Sequence, residues 1–382
     1  MSVEIIPIKP TQKELAKFVG FGIDHYKGNP CFVPPLRQDD IDTLLPEKNP
    51  AFDFCEAQSF MAYRDGKPVG RITGIINKVV NERTGDPTVR FGFIEFIDDA
   101  EVCDALLDAV EEWGRKKGMK HIVGPMGFTD MDHEGMLTFG FDEMGTMATI
   151  YNYPYYPTHM ERRGMVPDAK WVEYRIDVPE QVPERIAKIA DLVARRFKLS
   201  IPQIKSRKEL KDRYGLPLFR LINEAYDKLY GYSPLTERQM KHYIDQYLGI
   251  LNLNDICVIV NDSDELVGVG ISVANFSKAL RKSNGKLFPF GWWHLLRAMK
   301  GKNDTVDLLL VAIKSEYQGK GVNALLFTHL IEAYNRNGSK HAESNPELEE
   351  NASVQNQWQH FPHRLHRRRQ VYKKSIVIDV EN

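Results

Sequence analysis

The sequence predicts an α/β protein whose mixed sheet is divided between two similar domains. With 382 residues, the chain is longer than a single compact domain usually is. Two segments recur in the same order along the chain, and in the second half a buried strand runs into a helix through a glycine-rich turn. Because internal repeats mark duplicated structural units, we expect one domain at 1–178 and another at 179–382.

The first repeated segment has the pattern of a β-hairpin. SFMAYRDGKPVGRITGIIN (59–77) and ICVIVNDSDELVGVGISVAN (256–275) each place a polar turn between two apolar runs, continue with Val-Gly and end in Asn. Valine, isoleucine and threonine favour strands, while aspartate and glycine favour turns. Each half is therefore predicted to contain a hairpin.

The second repeated segment predicts the end of a helix followed by a strand. EWGRKKGMKHIVGP (112–125) and EAYNRNGSKHAESN (332–345) carry Glu, Gly, Lys and His at the same spacing. Gly118 and Gly338 fall where glycine can take the left-handed conformation that ends a helix. The duplicated unit is thus a hairpin, a strand, a helix and a further strand.

The two halves differ at the start of this helix. In the first half, Asp98 and Asp99 precede it, and carboxylates at this position cap a helix and repel a phosphate. In the second half, the sequence QGKG (318–321) precedes it. The first N–H groups of a helix lack partners and carry partial positive charge. Two glycines leave these donors accessible and Lys320 adds a charge, so the turn predicts a pyrophosphate site.

Two common phosphate-binding motifs fit this turn poorly. The P-loop needs Gly-Lys followed by Ser or Thr, whereas here Lys320 precedes Gly321. The dinucleotide pattern G-x-G-x-x-G/A fits residues 319–324 by letter, with Glu343 near the ribose-binding distance. However, residues 314–318 separate the glycines from the strand, and too little chain follows to build a parallel sheet.

The turn resembles the coenzyme A loop of the GNAT superfamily of acyltransferases. That signature is Gln or Arg, two residues, Gly, one residue, and Gly or Ala; residues 318–323 match it except that Asn323 replaces the last small residue. HAESNPELEENASVQNQW (341–358) resembles the strand and helix that follow in the family, and HMERRGMVP (159–167) is similar to the end of such a domain. The resemblance implies two tandem GNAT-like acyl-CoA N-acyltransferase domains, the first of them degenerate.

The same resemblance implies a co-substrate, a reaction and a set of binding residues. The co-substrate would be acetyl-CoA or another acyl-CoA, and the acyl group, above all acetyl, would pass by direct attack to the amine of a small molecule or peptide. The implied coenzyme-binding residues are Val311, Ile313, Gln318, Gly319, Lys320, Gly321, Val322, Asn323, Ala324 and Asn351.

Acyl transfer also needs a base for the amine, a donor to the thioester carbonyl and a proton for the sulfur. By resemblance, the backbone near Ile313 would polarise the carbonyl. Asp307 and Glu343, on the strand pair that splays in this family, are candidates for the base. The ordinary alternatives are a solvated strand end for Asp307 and an ion pair with Lys340 for Glu343.

The proton donor to sulfur is a point of departure from the family. Trp358 falls near the position where many GNAT enzymes carry a tyrosine, and an indole cannot act as that acid. Tyr372 is the candidate replacement, and the alternative for it is a tyrosine of the core or of a sheet edge.

Two other functions stay open at the level of sequence. Asn323 and Trp358 favour a GNAT-like module that binds its ligand without catalysis. The basic run HFPHRLHRRRQVYKK (360–374) would suit a Fem-type transferase that uses aminoacyl-tRNA, or would contact the 3′-phosphate of coenzyme A; otherwise it predicts a strand with a basic outer face. Outside the tRNA case, nucleic acid is not an expected partner.

A group of tyrosines precedes the end of the first half. These residues lie among prolines and are suited either to lining an acceptor pocket or to packing against the second domain. They are Tyr151, Tyr153, Tyr155 and Tyr156.

Composition limits the remaining partners. The formal net charge is −1, which gives no global reason to expect nucleic acid or a membrane as partner. The four cysteines are scattered, so reduced thiols, no metal and a cytoplasmic location are expected. No targeting signal and no apolar run long enough to span a membrane is evident.

The second half also contains an insertion between its hairpin and the following strand. Residues 286–302 predict a short helix there, and packing of this helix on its own domain is favoured over binding to a membrane surface or a partner. Its apolar face comprises Trp292, Leu295, Leu296 and Met299.

Overall fold

The computed structural model describes residues 2–248, 251–300 and 303–377, and it has the predicted mixed α/β architecture. All strands of the described residues belong to one mixed sheet. In the first half the strands are β1 (Glu4–Ile8), β2 (Cys55–Arg64), β3 (Lys67–Asn77), β4 (Thr88–Phe96), β5 (His121–Gly124), β6 (Met136–Phe139) and β7 (Val166–Asp177). In the second half they are β8 (Ile256–Val260), β9 (Leu266–Ala274), β10 (Thr305–Ile313), β11 (His341–Ser344), β12 (Glu347–Leu348) and β13 (His363–Ser375).

Helices cover both faces of this sheet. In the first half they are α1 (Gln12–His25), α2 (Arg37–Leu44), α3 (Lys78–Thr84), α4 (Ala100–Lys116) and α5 (Tyr155–Arg162). In the second half they are α6 (Glu184–Phe197), α7 (Arg207–Glu209), α8 (Gly215–Tyr226), α9 (Glu237–Tyr243), α10 (Ser277–Ser283), α11 (Gly291–Lys300), α12 (Asn323–Asn337) and α13 (Ala352–Gln355).

The duplicated unit occurs in both halves in the predicted order. The hairpins are β2–β3 and β8–β9, and each is followed by a strand, a helix and a further strand that runs parallel to the strand before the helix. Gly118 and Gly338 both have positive φ, 79° and 77°, at the ends of α4 and α12. The left-handed conformation expected from the sequence is therefore present at both helix ends.

The two halves exchange their last strands. The order of the main sheet is β1-β2-β3-β4-β5-β13-β7-β11-β10-β9-β8. Strand β13, from the end of the chain, pairs with β5 of the first half, whereas β7 of the first half pairs with β11 of the second. The predicted domain boundary at residue 178 thus comes directly after β7, which pairs with β11 of the second half.

Separate apolar cores flank the sheet. In the second half, α6 and α12 pack on one face, with Val193 and Leu326 against Val267. On the other face, α8 and α9 pack against the same strands, with Leu218 near Val258. The sheet of this half is thus covered on both sides, as the apolar sequence of β10 predicts.

The basic run lies in a strand, but its outer face is not simply basic. Arg367 and Arg369 in β13 are fully buried and both donate to Glu173 of β7. Arg364 pairs with Glu143 at 2.6 Å. The prediction of an exposed basic face was wrong because β13 is an inner strand of the sheet, and buried guanidinium groups require carboxylate partners.

The tyrosine group packs in the apolar core of the first half, to which Tyr372 of β13 also contributes. Tyr156 is fully buried, and its ring lies 4.4 Å from that of Phe96. Its hydroxyl accepts from Tyr26 at 3.3 Å, and Tyr155 donates to the carbonyl of Phe96. This arrangement gives the tyrosines a core position in the first half, with no exposed aromatic surface for an acceptor at Tyr156.

Candidate functional site

The centre of the candidate site is the end of β10. This strand pairs with β11 only from Thr305 to Leu308, and its register with β9 shifts between Leu308 and Leu310. Beyond Leu308 the two parallel strands separate, and Asn345 Nδ2 donates to the carbonyl of Leu309 at 2.7 Å. Val311 is 39% exposed although it lies in a central strand. The separation therefore opens a cleft beside residues 309–313.

The glycine-rich turn follows this open strand directly. Gln318 Nε2 donates to the carbonyl of Ile313 at 2.9 Å and so holds the turn against the strand end. Gly319 and Gly321 have φ of 70° and 81°, which glycine adopts without strain. Within the described part of the chain, the amides of Gly319, Gly321 and Val322 donate no hydrogen bond. The turn thus presents several unused donors at the start of α12.

The surroundings of the turn favour an anion. A Cβ at Gly319 would have nothing within 4 Å, so the space beside it is open. Lys320 is exposed, and its ammonium lies 5.5 Å from the ring centre of Phe197. Among the described residues, no carboxylate pairs with Lys320. This cation and the helix start together create a local positive field.

The remaining predicted binding residues have different positions. Val322 and Ala324 are buried in the packing of α12, while Asn323 Nδ2 donates to Gln357 Oε1 at 3.2 Å. Asn351 immediately precedes α13, and its amide donates to the carbonyl of Leu348 at 2.9 Å. The turn is therefore exposed, whereas the residues that follow it hold it in place.

An apolar cavity leads away from the turn. It lies between α12 and the strand pair β10–β11, and it extends along α12 from Asn323 to Tyr334. Its wall is almost entirely hydrocarbon, formed by Leu308, Val311, Leu326, Phe327, Leu330, Ile331, Trp358 and Phe361. Such a lining suits an extended apolar group, because burial from water stabilises it in proportion to its area.

Trp358 holds a carboxyl group that sequence reasoning missed. Its indole Nε1 donates to Glu347 Oε1 at 2.8 Å, while Glu347 Oε2 is buried and has no hydrogen-bond partner among the described residues. Burial raises the pKa of Glu347 to about 7, against the effect of its hydrogen bonds with Trp358 and Ser344. An acidic group thus stands next to the position where the family has its tyrosine.

Asp307 lies in the paired part of β10, away from the turn. It is 2% exposed, its Oδ1 accepts from Asn275 at 2.8 Å, and its Oδ2 has no partner among the described residues. Burial, assisted by the charge of Glu343, raises the pKa of Asp307 to about 7. The alternative of a solvated strand end was therefore wrong, since the strand begins inside the protein.

Glu343 is directly opposite Asp307 in the β10–β11 pair. Its Oε2 accepts from Arg367 Nη2 at 2.7 Å, so the ion pair that was expected with Lys340 is made with another residue. Burial would raise the pKa of nearby Glu173, but Arg369 and Arg367 lower it to about 2. Asp307 and Glu343 therefore belong to a buried charge network at the exchanged strands.

Tyr372 is far along β13 from this network. It is fully buried in the core of the first half, where β13 pairs with β5 at Gly124. Its hydroxyl has no hydrogen-bond partner among the described residues. The structure does not bring Tyr372 together with the glycine-rich turn.

A second group of acids, also missed from the sequence, lies in the loop that follows β5. Tyr226 donates to the carbonyl of Val311 at 3.0 Å. Burial is the main cause of the raised pKa of Tyr226, and the charge of Asp130 raises it further. Both carboxylate oxygens of Asp130 are buried without a partner among the described residues. A carboxylate in a loop of the first half thus acts electrostatically on Tyr226, a residue of α8 in the second half.

The environment of this loop raises the pKa of its acidic residues. Burial raises the pKa of Asp130 to about 7; the charge of Arg90 opposes this and that of Asp132 adds to it. Burial and the charge of Asp130 also raise the pKa of Glu134. The only local sequence signal was the acidic spacing in TDMDHEG (129–135), which does not reveal what packs against it.

The corresponding helix start in the first half is already occupied. Asp99 caps α4 by accepting from the amides of Glu101 and Val102, at 2.9 and 3.2 Å. Arg64 donates to the same carboxylate at 2.7 Å. An anion would find a negative charge at this position, as the sequence predicts.

Among the described residues, no group of three or more His, Cys, Asp or Glu side chains is arranged to hold a metal ion. None of the described helices is both long enough and apolar enough to cross a bilayer.

Comparison with known proteins identifies the fold. A tandem GNAT protein from the clavulanic acid biosynthesis pathway superposes with a TM-score of 0.58 at 14% identity, covering 99% of this chain and 100% of that one. The chain therefore has the GNAT fold of acyltransferases in tandem, as the resemblance in its sequence implied. No family model matches the sequence.

Two curated proteins are similar to this chain in sequence. "Bacterial ceramide synthase" from Caulobacter vibrioides (strain NA1000 / CB15N) is 29% identical over 330 residues, which is 83% of this chain and 82% of that protein. "Protein YghO" from Escherichia coli (strain K12) is 29% identical over 373 residues, or 96% and 94% of the two chains.

Proposed function

We propose that the protein is an N-acyltransferase that takes its acyl group from an acyl-CoA. The observation that carries this proposal is the glycine-rich turn, with its unused amides and Lys320, at the end of the strand that separates from β11. The pyrophosphate binds these amides, and the pantetheine arm enters the cleft beside residues 309–313. The thioester then lies near Val311 and Ile313, whose backbone borders the cleft.

The acyl group is a long hydrocarbon chain in this proposal. The cavity that begins at Asn323 is lined by apolar side chains along three turns of α12, and burial against such a lining stabilises a hydrocarbon group. The name of the Caulobacter relative points the same way, because a ceramide is the amide of a fatty acid and a long-chain amine. We therefore favour a fatty acyl donor over acetyl-CoA, and a long-chain amine as acceptor.

The base in the proposed reaction is Asp130. In this proposal the amine approaches from the side of Tyr226, which donates to Val311 and whose pKa is raised in part by the charge of Asp130. Both oxygens of the Asp130 carboxylate lack a hydrogen-bond partner among the described residues, which supports this assignment. Its raised pKa of about 7 lets it hold the proton that the attacking nitrogen loses. Asp307 is the second candidate for the base, whereas the carboxylate of Glu343 accepts a hydrogen bond from Arg367.

Glu347 supplies the proton to sulfur. The nitrogen forms a bond to the carbonyl carbon, the C–S bond breaks, and the thiolate of coenzyme A takes the proton of the Glu347 carboxyl. Since a thiol has an ordinary pKa near 8.5, a carboxyl group of pKa about 7 can protonate the thiolate. Trp358 positions this carboxyl by its indole N–H. Tyr372 has no role in the proposal because it lies in the core of the first half.

An acylation assay tests the proposal. The full chain is incubated with palmitoyl-CoA or acetyl-CoA and with sphinganine, a polyamine or a peptide, and both thiol release and amide product are measured. We expect amide formation with palmitoyl-CoA and sphinganine. Saturable acyl-CoA binding without thiol release for any amine would indicate a non-catalytic binding module and would contradict the assignment of a transferase.

A further inference from the structure

The insertion exposes most of its large apolar side chains, in α11 and in the loop before it. Phe288 and Phe290 are 77% and 71% exposed, and Trp292, Trp293 and Leu296 also lie on the surface. These five residues, which we call the aromatic patch, fall within nine consecutive positions. Contiguous exposed apolar surface of this kind marks an interaction site more often than scattered residues do.

The patch is not the result of an unanchored helix. The half-buried side of α11 carries His294, Leu295, Ala298 and Met299, and it packs on α10 and β9. At the base of the insertion, the amide of Arg37 donates to Gly285 O at 2.9 Å and its Nε donates to Asn284 O at 3.1 Å. The expected packing of the helix on its own domain thus occurs through one side, while Trp292 and Leu296 of the predicted apolar face remain exposed.

Charge distinguishes this surface from the rest of the chain. Residues 276–303 contain seven lysines and arginines and no aspartate or glutamate, although the formal net charge of the whole chain is −1. Lys278 approaches Asp304 at 3.8 Å. Within the described residues, the other cations of this segment make no ion pair; they are Arg281, Lys282, Lys286, Arg297 and Lys300.

We propose that α10, α11 and the loop between them dock on the surface of a lipid bilayer that contains anionic lipids. The aromatic patch enters the interfacial region, where tryptophan and phenylalanine partition well, and the surrounding cations contact the headgroups. A bilayer fits better than a protein partner because every lysine, arginine, aspartate or glutamate of the segment 276–303 is a cation. The inference does not rest on acyl transfer.

Vesicle sedimentation with the full chain tests this proposal. Vesicles of phosphatidylcholine with 30% phosphatidylglycerol are expected to carry the protein down, and pure phosphatidylcholine vesicles to carry much less. The double variant Phe290→Ser/Trp293→Ser should lose affinity roughly tenfold or more. Its matched control is Phe139→Ser/Leu192→Ser, which changes two exposed apolar residues elsewhere and should sediment as the wild type does.

The charge contribution is tested separately. Lys282→Gln/Lys286→Gln/Arg297→Gln should weaken binding to the anionic vesicles by about fivefold for each removed charge. The control, Lys13→Gln/Lys27→Gln/Lys67→Gln, removes the same charge from exposed positions in the first half and should leave binding unchanged. Equal loss in both triple variants would mean that overall charge alone attracts the protein, and would overturn the proposal.

Tryptophan fluorescence keeps the test valid if a variant folds poorly. Trp171 and Trp358 are buried and Trp113 is half-buried against the core of the first half, so a blue shift of the wild-type emission on adding anionic vesicles reports mainly on Trp292 and Trp293. The shift should vanish in Trp292→Phe/Trp293→Phe, which retains apolar side chains. Absence of both sedimentation and the shift in the wild type would refute membrane docking, as would a patch-dependent change in oligomeric state without vesicle binding.

Discussion

Asp130 and Asp307 are both buried aspartates with a raised pKa, but they have opposite roles in our account. Asp130 acts electrostatically on Tyr226 and its carboxylate oxygens have no hydrogen-bond partner in the described residues, whereas Asp307 lies inside the sheet and accepts from Asn275. A titrating group at a cleft can exchange its proton with a substrate. The same group inside a sheet mainly makes stability depend on pH.

Asp130→Asn tests the first of these roles. We expect kcat/KM for amine acylation to fall about a hundredfold, because a general base commonly contributes at least this much. The wild-type rate should rise with pH through about 7, where Asp130 loses its proton, and the variant should lack this rise.

Asp132→Asn is the matched control for Asp130→Asn. Asp132 Oδ2 accepts from the amide of Thr129 at 2.9 Å, and the charge of Asp132 raises the pKa of Asp130. Removing the charge of Asp132 should therefore lower the pKa of Asp130. The rise in rate should then occur at lower pH, but it should still occur. A pH profile that is the same in wild type and Asp130→Asn would exclude Asp130 as the base.

Asp307→Asn tests the second role. The folded-state pKa of Asp307, about 7, lies above the ordinary value of 3.8. The folded protein thus keeps a proton that the unfolded chain releases, and stability falls as pH rises from about 4 to 7, by up to about 1.4 kcal/mol per pH unit. In urea unfolding the variant should show a slope that is smaller by this contribution, whereas Asp65→Asn at the exposed β2–β3 turn should retain the wild-type slope. An unchanged slope in Asp307→Asn would contradict the assignment.

At the scale of elements, the glycine-rich turn and the helix behind it form the proposed coenzyme site. Gly319→Glu places a carboxylate among the free amides, so we expect acyl-CoA affinity to fall about a hundredfold by repulsion of the pyrophosphate. A Cβ at this position would have nothing within 4 Å.

The control for Gly319→Glu is Gly66→Glu in the first hairpin. Gly66 has φ of 72° against 70° for Gly319, and a side chain there also has open space. Both variants thus carry the same backbone strain and the same added charge. Equal acyl-CoA affinity in the two variants would show that the turn does not bind the pyrophosphate.

Local elements were predictable from sequence because their signals are local. Hairpin turns, the glycines that end α4 and α12, and the capping aspartate of α4 each depend on residues within one or two turns of chain. The partner of Arg367 was not predictable, since Glu173 lies 194 residues away in another strand. Asp130 was missed for a similar reason, since Tyr226, whose pKa its charge helps to raise, belongs to α8 in the second half.

At the scale of the whole molecule, the exchange of β7 and β13 joins the halves into one sheet. Without β13, the strand β5 would be an unpaired edge, and without β7 so would β11. The buried arginines of β13 would also lose Glu173. Exposed edges and unpaired buried charges are both strongly destabilising.

We therefore expect that fragments 1–178 and 179–382 do not fold when produced separately. Together they should form a soluble complex, because each supplies the strand that the other lacks. Thermal unfolding followed by circular dichroism would test this: the separate fragments should lack a cooperative transition and the mixture should regain one. A cooperative transition in either fragment alone would show that the halves are independent domains despite the shared sheet.

The sequence indicated the duplication but not the exchange. The apolar pattern of a strand specifies which face is buried, and it does not specify which strand lies beside it. The GNAT resemblance gave the fold of each half, while the connection between the halves depends on pairing over nearly 200 residues, such as that of Arg367 with Glu173.

Calorimetric titration of the full chain with palmitoyl-CoA, alongside acetyl-CoA and NADH, tests the central claim most directly. The account predicts saturable binding of both acyl-CoA species, tighter for palmitoyl-CoA because of the apolar cavity along α12, and no binding of NADH. Failure of every acyl-CoA to bind would contradict the assignment of the glycine-rich turn as a coenzyme A site.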